Sequence, residues 1–156
     1  MAPKANADIS AKEGEFSLRF WGVRGGIPTT NAETLRFGGN TPCVEVHCGD
    51  HLIILEAGTG IRPFGLALDQ SRPIKADIFF SVSRFDHACG LPLFGAGYNP
   101  ANEFKVWAGH LGSGGSIEQD LNDLMTSPLF PIPLSFIGGL KQWGDFIAGD
   151  EFEPRE

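Results

Sequence analysis

The stretch Ala76-Asp77-Ile78-Phe79-Phe80-Ser81-Val82-Ser83-Arg84-Phe85-Asp86-His87-Ala88-Cys89-Gly90-Leu91-Pro92 decides how the chain is read. Its first six residues are a short run of β-branched and aromatic side chains, which predicts a buried strand. The chain then turns polar through Ser83, Arg84, Asp86 and His87, and Gly90 and Pro92 end any regular element. Asp86 and His87 therefore fall on a loop just past a strand end, where sites gather in layered α/β sheets. On spacing alone the same pair also fits a solvated loop with an Asp turn.

Upstream, Cys43–Cys48 and His51–Glu56 flank Gly49-Asp50, which predicts a hairpin closed by a type II′ turn. That register pairs Cys48 with His51, Val46 with Ile53 and Val44 with Leu55 on one mainly apolar face, and turns Cys43, Glu45 and His47 the other way. It also weighs against a zinc set of Cys43, His47, Cys48 and His51, because a flat hairpin would present these donors on opposite faces. Glu56-Ala57-Gly58-Thr59-Gly60 predicts a tight turn into a short helix from Ile61. Earlier still, Phe16–Phe20 alternates as a strand with one face buried, followed by the glycine-rich loop Trp21–Pro28. That loop lacks the spacing and the following helix of a dinucleotide fingerprint.

Downstream, Leu91–Phe94 suits a helix or turn, and Phe104–Ala108 alternates as a strand followed by His110. The tract Gly109–Gly115 is too irregular for a phosphate loop. Ser116 and Gln119 fit a capping box over a helix whose stripe is Ile117, Leu121, Leu124 and Met125. Pro128, Pro131 and Pro133 stop that helix. Residues 1–14 read as a flexible leader and the end from Gly149 as an acidic tail.

Composition sets the bounds. With 156 residues, 42% apolar and 20% charged, the chain suits one globular domain with a real core. Its 21 Gly and 11 Pro point to tight turns rather than long helices. A formal charge of −7 argues against a general nucleic-acid surface. No apolar run predicts a membrane span or a secretory signal, and three Cys imply reduced thiols in a cytoplasmic setting.

Four linked motifs, FWGVRGGIP (Phe20–Pro28), FGGNTPCVEV (Phe37–Val46), ILEAGTGIR (Ile54–Arg62) and the 76–92 stretch, together with MTSPLFPIPL (Met125–Leu134), closely resemble the metallo-β-lactamase superfamily in its phosphodiesterase-like and RNase Z-like branch. The resemblance implies an α/β fold: the N-terminal part of an αββα sandwich, mainly one mixed sheet with flanking helices. It further implies that residues 15–156 are an incomplete domain of that kind, ending near the start of the family's second half. A sheet without its facing sheet leaves one side bare, so a homo-oligomer or a partner chain is expected to cover it.

The same resemblance implies a metal-dependent hydrolase using zinc or manganese, but the motif His-x-His-x-Asp-His reads here Val82-Ser83-Arg84-Phe85-Asp86-His87. Valine has no lone pair and a guanidinium is a fixed cation, so Val82 and Arg84 leave the first ion without motif ligands. Asp86 and His87 remain as residual ligands of a second ion, with Asp86 as the residual catalytic group. Two ligands fall short of the usual three, so a metal is expected to be absent or weakly bound. Arg84 beside Asp86 would compensate the carboxylate in place of an ion. Glu56 stands where the family usually carries an Asp that supports the metal loop, and Arg24 lies in a loop near the family's active-site mouth, suited to an anionic substrate or a structural ion pair. The expected function is thus a divergent protein without dinuclear hydrolysis, acting by binding. The alternatives are a phosphodiester hydrolase completed by a partner chain's ligands, and a fragment without function.

Overall fold

The apolar and alternating runs fold as six strands: β1 (Phe16–Gly22), β2 (Cys43–Cys48), β3 (His51–Leu55), β4 (Lys75–Phe80), β5 (Glu103–Ala108) and β6 (Leu140–Asp145). This computed structural model describes residues 16–112, 114–147 and 149–151, so the leader expected over 1–14 and the last residues of the acidic tail lie outside the described residues. The strands form one mixed sheet in sequence order. β1 pairs with β2 and β2 with β3 in antiparallel fashion, while β3 to β6 are mutually parallel. The helices α1 (Ile61–Ala67), α2 (Phe85–Ala88) and α3 (Ile117–Leu124) alternate with the parallel strands. The fold is therefore α/β, with a two-hairpin edge feeding a parallel half.

The hairpin register is the one expected, with Cys48 opposite His51, Val46 opposite Ile53 and Val44 opposite Leu55. Gly49 takes a φ of 58°, the left-handed value the first central position of the turn requires. Cys43 and His47 accordingly face away from Cys48 and His51, and His47 Nε2 lies 2.8 Å from Glu45 Oε1. Glu45 Oε2 accepts the Trp21 indole N–H at 2.8 Å, so these polar groups satisfy one another.

One side of the sheet is packed. Ile54, Ala76, Ile78, Phe80, Phe104 and Val106 bury fully or nearly so against Ile61, Phe64, Leu91, Phe94, Ile117 and Leu121. Phe94 is central: its ring lies 6.2 Å from Phe64 and 5.0 Å from Phe104. The stripe expected on α3 is buried at Ile117, Leu121 and Met125 and partly buried at Leu124. Its expected capping box is not made. Ser116 makes no side-chain cap; Asp145 Oδ1 at the end of β6 accepts the Ile117 N–H at 3.0 Å, and Gln119 donates instead to Asp123 Oδ1 at 2.8 Å. A carboxylate brought by the neighbouring strand takes the place of the local hydroxyl.

The other side of the sheet is exposed at its β1 end, while farther along it Val46 and Asp77 are buried and the Phe79 ring packs against Trp107 and Phe146. Phe16, Leu18 and Phe20 are 64%, 51% and 65% exposed, whereas Ser17, Arg19 and Trp21 are half-buried. This reverses the expectation that the apolar residues of β1 form its buried side. Alternation tells which residues share a face, but the helices decide which face is covered. Trp21 packs edge-on against Phe64 of α1, with ring centroids 5.7 Å apart, and so carries β1 onto the helical side.

Candidate functional site

The parallel strands end side by side, and their C-terminal loops meet at one rim. β3 delivers Glu56, β4 delivers Ser81, Ser83, Arg84, Asp86 and His87, and β5 delivers His110. Two close approaches hold the loops together. Gly90 donates its N–H to Ala57 O at 2.9 Å, and Ala57 donates to His87 O at 2.7 Å. A Cβ on Gly90 would stand 2.0 Å from Gly58 O, so only glycine lets the two backbones meet. The loop following β1 is drawn to the same place, since the Gly26 N–H donates to Asp86 Oδ2 at 2.8 Å.

Asp86 is the hub. Its side chain is 4% exposed, while that of Arg84 is 62% exposed; Arg84 Nε lies 3.3 Å from Asp86 Oδ1. A second, longer contact runs from Arg84 Nη2 to Oδ2 at 3.5 Å. The pairing expected between these residues is therefore present, with the guanidinium reaching in from solvent. The Gly26 N–H holds the Asp86 carboxyl below its usual range; burial opposes this, and the charges of Arg84 and His87 add to it. His87 Nε2 stands 3.7 Å from Asp86 Oδ2.

Glu56 occupies the end of β3 in the left-handed region, at a φ of 67°. A non-glycine residue there is uncommon and is held by its surroundings. Its Oε1 accepts both the backbone N–H and the hydroxyl of Ser81. Its Oε2 faces His87 Nδ1 at 3.1 Å, an ion-pair separation, although neither atom makes a directed hydrogen bond among the described residues. Glu56 and Asp86 thus flank His87 from its two ring nitrogens.

These contacts test the residues against zinc or manganese. Both Asp86 oxygens are engaged, by Arg84 and Gly26, and both His87 nitrogens face carboxylates. Val82 and Arg84 supply no donor lone pair. Among the described residues no group of three or more His, Cys, Asp or Glu side chains is placed to hold an ion. The donor set does not fit the metal that the motif resemblance implies.

Arg24 does not meet the cluster through any hydrogen bond found among the described residues. Its Nε donates to Gly38 O at 3.1 Å and braces the loop that carries Gly26. Ser83 and His110 form a contact that reading the sequence did not reveal: Ser83 Oγ lies 2.8 Å from His110 Nε2. The two are 27 residues apart and meet because β4 and β5 are adjacent and parallel. No local spacing could have signalled the pair. The sequence and structure match no family model, no curated protein and no solved structure.

Proposed function

We propose that this chain is a divergent protein of metallo-β-lactamase type, the N-terminal part of an αββα sandwich, that lacks dinuclear metal-dependent hydrolysis and acts by binding. The observation that carries this reading is the Arg84–Asp86 ion pair, 3.3 Å across, closed from the other side by the Gly26 N–H. A fixed cation then compensates the carboxylate at a position where the resembled motif would use an ion. The guanidinium is tied on one edge only and remains largely exposed, which suits it to meet an anionic ligand. The exposed apolar residues Phe16, Leu18 and Phe20 of β1 support a second reading of the same molecule, that another copy of the chain covers them. Free cysteines at 43, 48 and 89 agree with a cytoplasmic setting, and among the described residues no helix is long and apolar enough to cross a membrane.

Equilibrium dialysis against zinc and manganese, paired with turnover of bis(p-nitrophenyl) phosphate, tests the loss of metal chemistry. The expected result is no stoichiometric ion and no turnover above buffer for the natural sequence. A Val82→His, Arg84→His variant restores donors, frees Asp86 and should gain zinc affinity. One tightly held ion per chain together with turnover in the natural protein would favour the phosphodiesterase alternative and end this reading.

A further inference from the structure

We propose that Ser83 and His110 form a nucleophile and general-base pair able to carry an acyl group, giving the chain a metal-independent reactivity toward small activated carboxylic esters. The inference needs neither Asp86 nor His87 and shares with the reading above only the charge of Arg84. Its starting point is geometry: Ser83 Oγ and His110 Nε2 are 2.8 Å apart, within the distance at which an imidazole takes a hydroxyl proton. Both residues are half-buried, partly withdrawn from water yet reachable from it. They sit past the C-terminal ends of β4 and β5, on the rim where the other polar groups of the molecule converge.

In a full triad the second ring nitrogen of the base is held by a carboxylate. Here His110 Nδ1 is buried and has no hydrogen-bond partner among the described residues. When Nε2 accepts from Ser83, Nδ1 carries the ring proton, so the pair lacks the carboxylate that orients the base in a full triad. A lower rate than that of a complete triad follows. Arg84, next in sequence to the nucleophile and largely exposed, contributes a positive charge to the same rim.

The chemistry balances without a further reagent. Ser83 Oγ attacks the ester carbonyl carbon as its proton passes to His110 Nε2. The carbon–oxygen bond to the alcohol breaks, and the alcohol leaves with that proton. Water then attacks the acyl–Ser83 ester, giving a proton to His110, and collapse returns it to Ser83 Oγ with release of the carboxylic acid.

The test is covalent capture in the presence of EDTA, which removes any metal route. The full chain is incubated with an alkyl fluorophosphonate, which forms a phosphorus–oxygen bond to an activated serine and releases fluoride. Intact mass and peptide mapping then locate the adduct. The expected result is a single adduct on Ser83, lost in Ser83→Ala and slowed roughly 100-fold or more in His110→Gln. The variants are compared only after circular dichroism shows the fold retained, and His110→Asn serves as a second base variant. A folded natural protein that gains no Ser83 adduct would overturn the proposal. So would labelling at Ser83 with equal rate in a folded His110 variant.

Discussion

Asp86 meets three neighbours that all favour its ionised form: the Gly26 N–H, the Arg84 guanidinium and the His87 ring. Its carboxyl is consequently held below the ordinary range, despite burial. The sign of the pH effect follows. A group whose pKa falls on folding binds fewer protons in the native state, so its contribution is complete above about pH 4 and is lost as pH drops through the depressed value. Thermal melts of the natural protein and of Asp86→Asn should therefore differ most above about pH 4 and converge at lower pH. A gap that stays constant down the acid limb would show that the Asp86 charge does not support the fold. Much of this residue-scale picture was legible in the sequence. The pairing of Arg84 with Asp86 was expected because the resembled motif carries a metal-binding His where Arg84 stands, whereas the Gly26 cap, 60 residues away, had no sequence signal.

At the scale of elements, short-range chemistry was read well and borrowed contacts were not. The Gly49-Asp50 turn fixes the β2–β3 register because a two-residue loop leaves little freedom in pairing. The start of α3 behaves differently. Ser116 sits in extended geometry at the right position but its hydroxyl makes no cap, and Asp145 supplies the acceptor from β6. Ser116→Ala should therefore change stability by only a few tenths of a kcal/mol, while Asp145→Ala should cost about 1 kcal/mol, measured by urea unfolding. The reverse order would return the cap to Ser116. β6 itself was not foreseen, since Leu140-Lys141-Gln142-Trp143-Gly144-Asp145 is too polar to read as a strand alone. Pairing with β5 makes it one.

At the scale of the molecule, the sheet is packed on one side by helices, and the other side is exposed along β1. Phe16, Leu18 and Phe20 lie exposed together along β1, on the face that Val44 of β2 and Leu55 of β3 share, and a cluster of this kind favours association. Sedimentation velocity should find a dimer or larger species, and Leu18→Lys with Phe20→Lys should shift it to monomer while the circular dichroism spectrum is kept. A natural protein that sediments as a monomer and binds no hydrophobic dye would remove this expectation. The packed side does not depend on association, because its apolar side chains are already covered by α1, α3 and the turns around Phe94.

The sequence by itself determined the strands from β1 to β5, the hairpin register, the helix after Gly60 and the placing of Asp86 and His87 just past the end of β4, although they lie on the short helix α2 rather than on the loop expected. Those features rest on local terms: alternation, turn residues and apolar periodicity over a few positions. Only the tertiary structure decided which side of β1 is covered, what caps α3, and that Ser83 meets His110. Each of these depends on groups far apart in the chain, and their meeting is set by how strands order in the sheet rather than by any neighbour in sequence.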